Sequence, residues 1–253
     1  MTDSKPPVTA LPDAVSPVLL VHGWAGSFDR TWRRAGLVDL LEDAGRRVLP
    51  YDLPGHGTAT KSHDPNDYRD LAGDLLDRVN GVAQGDGAAS TDGAPRVDAV
   101  GFSLGAITLL RSLIHAPHAF NKVVLAGIGD GVFVPHDPAR SSRILAGLEG
   151  RAEPGDVTAR IFGKIGNEAH NDPLALAAVL RRAREEPMTH EQLARISNRV
   201  LVVLGDNDFS APADKLVAAL PNATLLSLKG IDHFRTPESF EFIDAVLEFL
   251  GAQ

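Results

Sequence analysis

Val97-Asp98-Ala99-Val100-Gly101-Phe102-Ser103-Leu104-Gly105-Ala106-Ile107-Thr108-Leu109-Leu110 joins an apolar run to a helical pattern through one Gly-x-Ser-x-Gly pentapeptide. Residues 97–101 read as a buried strand, and 106–115 carry apolar residues three or four apart, as one buried helix face requires. A strand that becomes a helix within one residue forces the central side chain into a strained backbone conformation. Gly101 and Gly105 remove the Cβ atoms that would clash there. The pentapeptide therefore reads as a nucleophile elbow that lifts the Ser103 hydroxyl above the end of a sheet.

Outward from the elbow the same rhythm repeats. Residues 17–21, 47–51, 122–126, 199–204 and 223–228 are rich in Val and Leu and read as further buried strands. Residues 37–44, 68–82, 213–220 and 237–250 read as amphipathic helices, the last with a stripe of Phe240, Ile243, Val246, Leu247 and Leu250. Such alternation predicts an α/β fold whose mostly parallel central sheet is flanked by helices on both faces. Two segments break it. Residues 85–95, all small, polar or Pro, read as a surface loop. The longer break over 128–197 carries helical patterns at 141–148 and 173–184 and enters at the carboxyl edge of the sheet. Ligands bind at that edge in open α/β sheets, so 128–197 reads as a helical cap on a core formed by 17–127 and 198–253.

Composition narrows the function classes. The 253 residues, 43% of them hydrophobic, suffice for one large domain carrying an insertion. A formal charge of -8 and the lack of any Lys/Arg run argue against nucleic acid. Cys is absent, which removes disulfides, a thiolate nucleophile and Cys-ligated metals. No stretch approaches the roughly 18 apolar residues that span a bilayer. Residues 1–16 are polar and Pro-rich without a signal-peptide pattern. The expectation is a cytoplasmic protein with a flexible tail over 1–16, acting on a small molecule. Nothing in the chain separates monomer from homodimer.

A serine hydroxyl needs a base, usually His oriented by a carboxylate. His233 follows the run at 223–228, and Asp208 follows the run at 199–204 within Leu204-Gly205-Asp206-Asn207-Asp208. Pro212 is expected to open the next helix. Asp206 and Asp130 compete as the acid, although beside glycine both also read as turn formers. His63, His115, His118, His136, His170 and His190 have no metal-ligand spacing and read as surface residues.

The order Ser103, Asp208, His233, each after a strand, is joined by His22-Gly23-Trp24 after the first strand and by Asp52-Leu53-Pro54-Gly55-His56-Gly57. Together these resemble the α/β-hydrolase superfamily from about 17 to 250. The resemblance implies Ser103 as nucleophile, His233 as base and Asp208 as acid, the last because its G-x-x-D spacing matches the family turn. It implies backbone amides of Trp24 and Leu104 as an oxyanion hole, His22, Gly23, Gly101 and Gly105 in support, His56 holding the turn, and no metal or organic cofactor.

Ser rather than Asp at the elbow argues against epoxide and carbon-halogen cleavage. A carboxylesterase-like serine esterase, cleaving a small to medium ester or lactone through an acyl-enzyme, leads. A carbon-carbon bond hydrolase of ring-cleavage diketones, a cofactor-free perhydrolase and a non-catalytic small-ligand binder are the alternatives. The carbon-carbon class needs basic cap residues facing the elbow; Arg181, Arg182 and Arg184 are available, or form a solvated helix face. Phe28, Trp32, Phe102, Phe133, Phe162 and Phe234 are candidates for either an acyl pocket or the core.

Overall fold

A computed structural model describes residues 16–85 and 96–252. All but the last residue of the expected tail, and the expected surface loop from 86 onward, lie outside the described residues. Six strands, β1 (Val18–Val21), β2 (Val48–Leu49), β3 (Val97–Phe102), β4 (Phe120–Ala126), β5 (Arg199–Gly205) and β6 (Ala223–Leu228), form one parallel sheet in the order β2-β1-β3-β4-β5-β6. The helices are α1 (Leu37–Asp43), α2 (Leu71–Gly85), α3 (Leu104–His115), α4 (Pro138–Leu148), α5 (Val157–Gly166), α6 (Pro173–Arg181), the one-turn α7 (His190–Leu193), α8 (Asp214–Ala219) and α9 (Phe240–Leu250).

Strand side chains alternate between two cores, as a pleat with period two demands. Leu19, Val21, Val123, Leu125, Val200 and Val202 pack against α2, α3 and α8. Val18, Leu20, Val124, Leu201 and Val203 pack against α1 and α9, around the fully buried Trp32 and Phe242. Each fully buried Leu, Val or Phe contributes about 1.5–3 kcal/mol, so these two layers set the stability of the domain.

Several elements differ from the sequence reading. β2 shrinks to two residues because Pro50 has no N–H to continue the ladder. β6 is an edge strand and not a buried one, with Thr224, Leu225 and Ser227 exposed. Ser239 caps α9 through the Phe242 amide, so the helix begins at Phe240 and its buried stripe is Phe242, Ile243, Val246 and Leu250. Phe240, two residues from Phe242 and hence on the opposite face, is 82% exposed. Pro212 precedes α8 without opening it: Ala213 is the N-cap, and the Pro212 carbonyl accepts from the Asp130 amide.

The segment between β4 and β5 supplies α4, α5, α6 and α7. Its first helices pack on one another, α4 against α5 through the facing glycines Gly147 and Gly163. Its later residues Val179, Met188, Leu193 and Ile196 are buried in the main core. The segment expected as a cap over 128–197 is thus anchored at its far end by the same apolar layer that backs the sheet.

Candidate active site

β1 leads to β2 on one side, whereas β3 lies on the other side of β1. This reversal opens a crevice at the carboxyl ends of β1 and β3, the position where parallel sheets bind ligands. Ser103 stands there at φ 53°, ψ -115° between β3 and α3, and its amide donates to the Ala126 carbonyl at 2.8 Å. A non-Gly residue in this region carries about 1–3 kcal/mol of strain. The glycines make the turn feasible. A Cβ on Gly105 would collide with the carbonyl oxygens of Val21 and His22, and one on Gly101 would meet the α3 backbone at Ala106.

His233 Nε2 lies 2.9 Å from Ser103 Oγ, and its Nδ1 lies 3.0 and 2.9 Å from the two Asp208 carboxylate oxygens. His233 and Asp208 are 3% and 4% exposed, so the pair is dry. With Nδ1–H donating to the carboxylate, Nε2 is the acceptor facing the hydroxyl. The Ser210 amide also donates to Asp208 Oδ1, at 2.7 Å, and orients it. The structure brings Ser103, His233 and Asp208 together and leaves the competing acids elsewhere. Asp206 accepts from the Gly230 amide, and Asp130 accepts from the Leu216 amide in the first turn of α8. Both bonds reach amides distant in the chain and leave neither carboxylate at His233.

Gly23 abuts the serine: a Cβ there would sit 3.2 Å from Ser103 Cβ. Leu104 follows the serine directly, and its amide, first in α3, has no intrahelical acceptor. His22 fixes the β1 loop. Its Nε2 accepts from the Leu53 amide at 3.1 Å, so Nδ1 carries the proton and donates to the Gly23 carbonyl at 2.8 Å. Burial holds its pKa below the ordinary value, which leaves the 3.5 Å approach to Asp52 a contact of a neutral ring. Burial and the neighbouring His22 push His56 down to about 3; its Nδ1 donates to the Pro54 carbonyl. Asp52 accepts from the Phe28 and Thr58 amides, which ties this turn to the β1 loop. Burial raises its pKa, but those amide bonds outweigh it and hold the carboxyl below its ordinary value.

A cavity of about 430 Å³ opens over Ser103 between the sheet and the β4–β5 segment. Near the serine it is aromatic. Trp24 and Phe162 meet edge to face, and Phe162 also contacts Phe209 and Phe234. Phe28 and Trp32 are core, and Phe133 stacks on His190. The cavity is also basic, lined by Arg111, Arg140, Arg182 and Arg184. Arg181, one residue from Arg182, points outward to Glu149. Arg111 is neutralised by Glu185 at 2.8 Å. Among the described residues Arg182 donates to the Val179 carbonyl, and Arg184 to the Leu180 carbonyl and Ser141 Oγ. Burial, and next the charge of Arg184, push the Arg182 guanidinium down to about 9, where it still holds its proton at neutral pH. His136 is exposed, as expected, and at the cavity mouth bonds to Ser141. Phe209 and Arg140 were not singled out by the sequence. For Phe209 the available signal was adjacency to Asp208; Arg140 sits in a segment without a motif.

A model of the alpha/beta hydrolase family matches residues 18–245. The chain belongs to that family. It is 28% identical to the 2-hydroxy-6-oxononadienedioate/2-hydroxy-6-oxononatrienedioate hydrolase 2 of Pseudomonas putida, over 95% of this chain and 89% of the relative. Among solved structures, the 2-hydroxy-6-oxo-6-phenylhexa-2,4-dienoate hydrolase of a Rhodococcus species superposes with a TM-score of 0.70 at 21% identity, covering 93% of this chain and 91% of that one. A bromoperoxidase from Bacillus anthracis superposes with a TM-score of 0.66 at 22% identity, covering 94% and 92%. At such identities the solved structures establish the hydrolase fold, and the family establishes a hydrolase. Among the described residues no helix is long and apolar enough to cross a membrane.

Proposed function

We propose that this hydrolase cleaves a small to medium carboxylic ester through an acyl-enzyme on Ser103, His233 and Asp208. The observation that carries the reading is the continuous relay from Ser103 Oγ through both imidazole nitrogens to a buried carboxylate. His233 Nε2 takes the Ser103 proton as Oγ bonds to the carbonyl carbon, and Asp208 stabilises the imidazolium. The negative charge then on the carbonyl oxygen is met by the Trp24 and Leu104 amides, a contribution of about 3–4 kcal/mol for a donor of this kind. Collapse expels the alcohol, which takes the proton from His233. Water, deprotonated by the same nitrogen, attacks the acyl carbon and frees Ser103.

A second reading has a specific observation behind it. Arg182 and Arg184 are half-buried cations that form no ion pair among the described residues, though the charge of Glu185 acts on Arg182, and this favours a substrate that brings its own carboxylate. The Pseudomonas putida relative is named for a dienedioate, a doubly carboxylated substrate. A ring-cleavage diketone bearing a carboxylate would therefore suit this cavity.

The test is burst release of p-nitrophenol from short and medium acyl esters, run beside loss of the visible absorbance of a ring-cleavage diketone. Ser103→Ala is expected to abolish the burst, and retained turnover in that variant would refute the triad. Faster diketone than ester turnover would move the assignment to the second reading.

A further inference from the structure

We infer that Phe209 and Arg140 form a clamp on His233, and that both are positioning residues for the hydrolysis proposed above, on which this inference rests. The two hydrogen bonds of His233 lie at Nδ1 and Nε2, in the plane of the ring. Two in-plane contacts define an axis about which the ring remains free to tilt, and tilting swings the Nε2 lone pair off Ser103 Oγ. Packing on the ring faces is what opposes it. Phe209 lies tilted against the imidazole with centroids 4.2 Å apart, closer than Phe102 at 4.9 Å or the perpendicular Phe234 at 5.7 Å.

Phe209 is itself 41% exposed, and the rings of Phe162 and Phe234 meet it at 6.3 and 6.2 Å without covering it fully. What lies over it is a cation from the other side of the cavity. The Arg140 guanidinium carbon sits 4.9 Å from the Phe209 ring centroid, within cation-π range. Arg140 belongs to α4, in the segment between β4 and β5. Its guanidinium makes no hydrogen bond or ion pair among the described residues that would anchor it elsewhere. Its outer part opens to solvent, yet its charge is desolvated enough to lower its pKa, against the opposing pull of Asp208. The layers Arg140, Phe209 and His233 therefore connect a helix above the cavity to the relay below it. Displacement of α4 would release the ring and with it the aim of the base.

The experiment is a double-mutant cycle with p-nitrophenyl acetate, a neutral ester too short to need a cationic contact. Arg140→Met, which keeps volume and loses charge, is expected to lower kcat about fivefold with KM unchanged, while Arg140→Lys stays within about twofold. Phe209→Leu is expected to lower kcat about tenfold, and Phe209→Tyr to restore it. In the Phe209→Leu background Arg140→Met should add nothing, because Arg140 acts only through the ring. Multiplicative losses in the double variant, an effect of Arg140→Met on KM alone, or a Lys variant as slow as Met would each overturn the clamp. Ser103→Ala, measured alongside, keeps the two readings apart: if it retains activity the triad fails, whereas an inactive Ser103→Ala with a multiplicative cycle removes the clamp alone.

Discussion

At the amino end of the sheet Arg46 is buried and paired with Asp98, whereas at the carboxyl end Arg182 is half-buried and forms no ion pair among the described residues. Arg46 pairs with Asp98 and donates to the carbonyls of Ser16 and Leu250, and Asp98 in turn accepts from Asn121 and the Lys122 amide. This network joins the starts of β3 and β4 to the end of α9. At the other end stand a strained serine and two guanidinium groups whose hydrogen bonds, among the described residues, go to carbonyls and a hydroxyl. The amino-end charge is paired within the fold, whereas the carboxyl-end cations form no ion pair among the described residues.

Four substitutions would break or sharpen that contrast. The largest effect belongs to the carboxyl end. Asp208→Asn should cut kcat by about four orders of magnitude through the wrong imidazole tautomer, with the melting temperature nearly unchanged. A loss below tenfold would place the acid elsewhere. At the amino end the sign of the contrast reverses. Asp98→Ala strands a buried guanidinium and should destabilise the protein by about 3–5 kcal/mol in denaturant melts, with kcat per folded molecule intact. Equal stability of that variant would deny the network its role.

Arg182→Met tests the cavity cation. Its expected effect is about a tenfold rise in KM for carboxylate-bearing substrates, none for neutral esters, and a stability change below about 1 kcal/mol. A comparable KM rise for both substrate classes would contradict the anion reading.

The last effect is read in the pH dependence of stability, at the turn that holds His56. His56 titrates near 3 when folded against 6.5 ordinarily, so below pH 6.5 the unfolded chain binds the extra proton and stability falls as pH drops toward 3. His56→Asn keeps a donor for the Pro54 carbonyl and cannot titrate. Its stability should therefore fall less steeply between about pH 6 and 4, by up to about 1.4 kcal/mol per pH unit. Parallel slopes for the two proteins would show that His56 is protonated in the fold.

Much of this site was legible in the chain because it rests on local constraints. Gly101, Ser103 and Gly105 encode a turn whose sterics are set within five residues, and the α/β rhythm follows from side-chain periods. Boundaries were less legible where a neighbour decides them. Phe240 and Phe242 are equally apolar in sequence, yet the Ser239 cap sets the helix phase and buries one of them. Arg181 and Arg182 are the same residue type in succession. The helix turns about 100° between neighbours and α6 ends there, so one meets Glu149 and the other the cavity.

By itself, then, the sequence determined the α/β architecture, the elbow at Ser103 and the chain order of serine, acid and histidine, because each depends on contacts within one strand-turn-helix unit. Only the tertiary structure decided which of three aspartates meets His233, which arginines share the cavity with Ser103, and that Phe209 and Arg140 lie over the imidazole. Those groups come from strands and helices far apart in the chain. Their distances are set by how the elements pack across the sheet edge, which no local pattern of residues encodes.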